Sequence, residues 1–124
     1  QDNPVAVMSN AKGGRWFTGI YDWQDDTWIC RGEPALLTPK QVIDITGKSL
    51  TIVADKLPDC ELPDGVDILD RSYAIAKANV VWQLGQAMAA RGRFTGAYAL
   101  TPLYVRQPDA EEKWQQRQAA GGRA

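Results

Sequence analysis

At 124 residues the chain is the size of one ordinary domain, long enough to bury a core without disulfide or metal staples. Its 14 lysines and arginines against 15 aspartates and glutamates leave a formal charge of −1, so no global field steers it toward nucleic acid or anionic lipid. It has no histidine, which excludes Ser-His-Asp and Cys-His catalysis and imidazole zinc sites, so any enzyme here would depend on carboxylates, lysine or tyrosine.

"PVAVMS" (4–9) is a short valine-rich run that reads as a first strand, and "NAKGG" after it reads as a turn. In "RWFTGIYDW" (15–23), Trp16, Thr18 and Ile20 alternate with Phe17, Gly19, Tyr21 and Trp23, the period of a half-buried strand. "QDD" (24–26) is turn chemistry and "TWICRGEPALL" (27–37) resumes an extended pattern, which predicts a three-stranded antiparallel meander. "TPKQVIDITG" (38–47) predicts a helix capped by Thr38, with Pro39 at its first position, Gln41 completing a capping box, Gly47 at its end, and Val42 and Ile45 buried. "SLTIVAD" (49–55) is a buried strand, "KLPDCELPDG" (56–65) a loop, and "VDIL" (66–69) a short extended piece.

"DRSYAIAKANVVWQLGQAMAARG" (70–92) predicts a long helix capped by Asp70 or Ser72 and closed by Arg91-Gly92. Its periodicity puts Ala74, Ala78, Val81, Trp82, Gly85, Met88 and Ala89 on one face, expected to be buried, with Ala78 and Gly85 letting it lie close on the sheet. Asn79, Gln83, Gln86 and Ala90 fall opposite. "TPLYVR" (101–106) predicts a last extended segment, and 107–124 a polar tail, a frayed helix or disorder.

Chemistry-bearing residues are sparse. Gly13-Gly14 lack the following Gly-Lys-Ser/Thr and helix of a phosphate loop, so the pair is expected to turn a hairpin. Asp22, Asp25 and Asp26 lack the alternating ligands of a calcium loop and read as a solvated turn, and the pairs Asp64/Asp67 and Glu111/Glu112 read as solvated surface. Trp16, Trp23 and Trp28 with Arg15 and Arg31 would suit stacking on bases, but alternation favours core packing plus one exposed patch. Cys30 and Cys60 match no zinc spacing; two buried or half-buried thiols are expected, with a single bridge the alternative. No apolar run approaches the ~20 residues that span a bilayer, and no signal-type segment opens the chain, so a soluble, cytoplasmic protein is expected, with no membrane partner. The chain opens at Gln1, directly before a strand, which suggests a piece of something longer.

Strand-strand-strand-helix-strand-helix is the order of the RNase H-like half of the actin-like ATPase (ASKHA) fold, an α/β architecture. Within that order the residues resemble the C-terminal half of the TsaB (YeaZ) family, once described as glycoprotease-like. That family's first strand runs into Asp-Ala-Arg-x-Gly-Glu-Val-Tyr; here the corresponding run is Asn10-Ala11-Lys12-Gly13-Gly14-Arg15-Trp16-Phe17. Its second strand ends at a tyrosine, here Tyr21; its first helix starts Leu-Lys/Thr-Pro, here Leu37-Thr38-Pro39. Its closing Glu-Pro-x-Tyr-Leu-Arg corresponds to Thr101-Pro102-Leu103-Tyr104-Val105-Arg106. Asn10, Lys12, Arg15 and Phe17 stand where the family has Asp, Arg, Glu and Tyr, so the hairpin keeps its shape while its surface chemistry differs.

The resemblance implies that 1–106 is the C-terminal lobe of a two-lobe protein whose N-terminal lobe lies outside this sequence. It implies a noncatalytic scaffold in the machinery that makes threonylcarbamoyladenosine next to the anticodon of ANN-decoding tRNA, with no cofactor of its own. A TsaD-like transferase and a TsaE-like ATPase would be its partners, tRNA would be met only indirectly, and an unpaired strand edge would allow a homodimer. The site residues it carries over are the hairpin surface Asn10, Lys12, Gly13, Gly14 and Arg15 and the closing Pro102, Tyr104 and Arg106. The alternatives are an ATP-binding or hydrolytic enzyme of the actin-like superfamily, or a tRNA-contacting module using Lys12, Arg15, Arg31 and the tryptophans.

Overall fold

In the computed structural model, which describes residues 3–105 and 109–121, β1 (Val5–Asn10) and β2 (Trp16–Gln24) form the first hairpin. β2 turns through Asp25 and Asp26, both at positive φ, into β3 (Thr27–Cys30). Two central residues with φ above zero give the turn whose twist matches a hairpin, and aspartate is among the few side chains that tolerate it. β4 (Ala35–Leu37) pairs with the other end of β2. The six strands form one mixed sheet: five follow the order β3-β2-β1-β5-β6 and β4 pairs off this path with β2, with β5 (Leu50–Ala54) parallel to β1 and β6 (Val66–Ile68) parallel to β5.

The single strand expected over 27–37 is split. Tyr21 faces Cys30 while Thr18 faces Ala35, so two residues of β2 lie opposite four between β3 and β4. Gly32, at φ +76°, and Pro34, which has no N–H to give a ladder, form the bulge.

One face of the sheet carries the core. Ala6 and Met8 of β1, Trp16 and Ile20 of β2, and Leu50, Ile52 and Ala54 of β5 project to the same side at period two, with Leu37, Leu62 and Val66 packed at the margin. Val42 of α1 (Pro39–Thr46) completes it from above. The helix starts as its sequence dictates: Thr38 Oγ1 accepts from the Gln41 amide, and Gln41 Oε1 accepts from the Thr38 amide at 2.8 Å. Ile45, expected to be buried with Val42, is 48% exposed. An eight-residue helix presents little more than one side-chain position squarely to the sheet, and Val42 holds it.

The opposite face is left open beside the second half of the chain. Instead of one helix over 70–92, Asp70 caps a 3-10 turn, Arg71–Ala74, and the α-conformation resumes only in α2 (Ala78–Ala90) after Ile75–Lys77. Asp70 Oδ1 accepts from the Ser72 amide, a local bond that favours a tight turn over a helix start. None of the predicted buried face of α2 is buried: Trp82 is 67% exposed, and a side chain added at Gly85 would meet nothing within 4 Å. The strand expected at 101–106 is also absent over 101–105, where Leu103 and Tyr104 are exposed and no sheet edge pairs with the segment. Beyond it, α3 spans Asp109–Gly121. Cys30 and Cys60 are free; Cys30 is half-buried, but Cys60, expected to be at least half-buried, is exposed. No helix among the described residues is long and apolar enough to cross a membrane.

Candidate functional site

The turn joining β1 to β2 sits at the C-terminal end of β1. Ala11 N–H donates to the Arg15 carbonyl at 3.0 Å, Arg15 N–H to the Lys12 carbonyl at 3.3 Å, and Lys12 N–H to Asn10 Oδ1 at 2.8 Å. Lys12, Gly13 and Gly14 occupy the left-handed region in succession, at φ 64°, 63° and 70°. Glycine adopts that conformation freely, whereas each L-residue costs roughly 1–2 kcal/mol, so the Gly-Gly pair is what makes this loop accessible. The neighbouring strand end fixes it in place: Asp55, just after β5, accepts from Ser9 Oγ at 2.8 Å and from the Asn10 amide at 3.0 Å. Burial alone would raise the Asp55 carboxyl, but these bonds, with the amides of Lys56 and of Asp55 itself, outweigh it and hold the carboxyl below its ordinary range.

Around this turn lies a cleft of about 530 Å³, closed by the start of α1 and the loop after β5. Asn10, Lys12, Gly13 and Gly14 line it from the turn, Thr38, Pro39 and Lys40 from the helix start, and Lys56, Pro58, Asp59 and Cys60 from the loop. The topology explains the convergence: β1 and β5 are adjacent and parallel, so both chain exits lie at the same sheet end, and α1 leads back toward β5 across that face. Three lysines meet there against one acid, Asp59, which pairs loosely with Lys56 at 3.8 Å on the exposed side. Trp16 also lines the cleft; the residue is 6% exposed, and its indole N–H is buried without a hydrogen-bond partner among the described residues.

The other sequence-derived candidates are dispersed. Arg15 is exposed at the turn but does not line the cleft. Pro102 and Tyr104 lie in an exposed irregular segment and do not line it, and Arg106 is outside the described residues. Asp22 is engaged by Arg31 through two bonds, 2.9 Å from Nε and 2.6 Å from Nη2, which hold its carboxyl below the usual range. Arg31 Nη1 reaches on to the Ile45 carbonyl, tying the β2–β3 hairpin to the end of α1. No three acids or cysteines converge on a metal position among the described residues. Trp23 and Trp28 face each other across the ladder, edge to face at 5.1 Å, while Trp16 is in the core. The three rings thus form no common stacking platform. Lys40, Lys56 and Asp59 escaped the sequence reading because they come from separate elements with no local motif.

No family model matches the chain, and no curated protein matches it. Among solved structures, it is similar to an uncharacterized Pseudomonas aeruginosa protein described as having similarity to the peptidase YeaZ, with a TM-score of 0.57 and 20% identity. The match covers 85% of this chain and 50% of that one, so the chain spans half the length of that structure. The six-stranded mixed sheet with its three helices therefore has a YeaZ-like fold, the coarse form of what the resemblance at the hairpin and at Leu37-Thr38-Pro39 implied.

Proposed function

We propose that the chain acts as a noncatalytic scaffold lobe of a TsaB-type protein, supporting a TsaD-type transferase in threonylcarbamoyladenosine modification of tRNA. The YeaZ-like fold supports the family. The observation that carries the scaffold role is the apolar groove on the open side of the sheet. There Val7 of β1, 42% exposed, lies beside Tyr73 and Ile75 of the 3-10 turn region and Val80, Val81 and Leu84 of α2. Exposed apolar side chains gathered in one groove, rather than scattered singly, are the mark of a surface that another protein covers. On this reading the lobe contributes burial area and shape and performs no bond chemistry.

Calorimetric titration of a TsaD-type transferase into the full-length protein tests it. Saturable association is expected, weakened about tenfold or more by Val81→Asp or Leu84→Asp, as removal of a central apolar anchor does. Undiminished binding by both variants, or no binding by the natural protein, contradicts the reading.

A further inference from the structure

The lysine-lined cleft plays no part in the scaffold reading, which places the partner surface on α2 and the open face of the sheet. We propose that this cleft, between the Ala11–Arg15 turn, the start of α1 and the 56–60 loop, binds the phosphate group of a small ligand. Lys12, Lys40 and Lys56 would supply the charge, and the Trp16 indole N–H a directed bond. Four independent observations converge. The lining is strongly cationic, three lysines against one aspartate, in a chain whose overall formal charge is −1. Neither Lys12 nor Lys40 makes an ion pair among the described residues, and Lys56 has only its long exposed contact to Asp59. The amides of Gly13 and Gly14 have no hydrogen-bond acceptor among the described residues, although they lie in a loop whose conformation is held by Ala11, Arg15 and Asn10. Lastly, the Trp16 N–H is a buried donor with no acceptor among the described residues.

The last observation decides the chemical class. An unsatisfied buried donor costs on the order of 1–3 kcal/mol, and native proteins rarely carry one without an acceptor arriving from outside. Donors predominate here: an indole N–H, two glycine amides and three ammonium groups, against the single carboxylate of Asp59. The complement is a compact group rich in acceptor oxygens and carrying more than one negative charge, which is the description of a phosphate. Lysines present point charges rather than a planar fork, so they suit a tetrahedral anion better than they suit the bidentate capture of a carboxylate. The volume, about 530 Å³, exceeds one phosphate group and leaves room beside Pro39 and Pro58 for a small organic remainder.

The test is a nuclear magnetic resonance titration of the full chain with inorganic phosphate, pyrophosphate and glycerol 3-phosphate at constant ionic strength, following the tryptophan indole signals. The Trp16 signal, assigned by its loss in Trp16→Phe, is expected to shift saturably while those of Trp23 and Trp28 stay still. Lys12→Gln, Lys40→Gln and Lys56→Gln should each weaken binding by about three- to tenfold, the effect of one charge-assisted contact near solvent. Asp59→Asn, which removes the one acid of the lining, should tighten it, a change that no loss of folding mimics. Tighter binding of glycerol 3-phosphate than of inorganic phosphate identifies an organic ligand, and parity a free anion; either upholds the site. No Trp16 shift with any probe up to about 10 mM, where even weak sites fill, overturns it. So does a shift indifferent to the lysine substitutions, or binding of a short RNA in place of the small anions. The test needs no protein partner, so its failure leaves the scaffold reading standing, and the converse also holds.

Discussion

Strands β1, β2 and β5 hold Met8, Ile20 and Ile52 away from water, whereas α2, with an equally apolar stripe, leaves Val81, Trp82 and Leu84 largely in it, Leu84 at 60% exposure. The two regions solve the backbone problem differently. A strand must find partners for its N–H and C=O groups, so β5 is tied between β1 and β6, and its β-branched side chains are carried into the core with it. A helix satisfies its own backbone and can stand without lateral support, so the cover for its apolar face can come from another molecule. Apolar content alone therefore does not say where the core is; what matters is which residues the hydrogen-bond ladders oblige to lie together.

The contrast is sharpest in substitution energetics. Ile52→Ala empties a fully buried position next to Met8 and Leu50 and should lower the unfolding free energy by about 2–5 kcal/mol in urea titration. Thr38→Ala removes the reciprocal cap on α1 and should cost about 1 kcal/mol. The Asp22–Arg31 pair is partly exposed, and a double-mutant cycle on it should return a coupling of about 0.2–1 kcal/mol. Leu84→Ala, in the isolated chain, should change stability by no more than about 0.5 kcal/mol, because there is little packing to lose. A loss near that of Ile52→Ala would erase the distinction between the two regions.

The same carboxylates give a pH dependence with a fixed sign. Asp22, through its bonds to Arg31, and Asp55, through its bonds to Ser9 and to backbone amides that overcome its burial, titrate below 3.8 in the folded chain. Both contribute stability that is fully present above the unfolded carboxylate value and is lost as pH falls through the folded one. Unfolding midpoints should thus be flat from neutral pH to about 5 and fall below about 4. In Asp55→Ala the decline should be shallower, and the Asn10 amide, which loses its acceptor, should exchange faster.

Local chemistry made much of this legible in the sequence. The capping box at Thr38 and Gln41, the Gly13-Gly14 hairpin and the alternation from Trp16 to Ile20 are each decided by neighbours a few residues apart, and all three form as read. Over 27–37, alternation suggested one strand, while Gly32 and Pro34, readable as breakers, mark where it divides. In α2 the periodicity correctly marked an apolar stripe, but a stripe does not name what covers it. The cleft was half legible: Asn10, Lys12, Gly13 and Gly14 line it, yet Lys40 and Lys56 reach it only because β1 and β5 run parallel, a pairing of distant segments that no local pattern encodes.

Amide hydrogen exchange of α2, with and without a TsaD-type transferase, tests the central claim most directly. In the chain alone, the amides of Val80 through Met88 should exchange far faster than those of Ile52 and Val53, and on adding the transferase they should become markedly protected while the β5 amides change little. Protection of α2 equal to that of β5 without any partner, or no change in α2 when the transferase is present, would contradict the account.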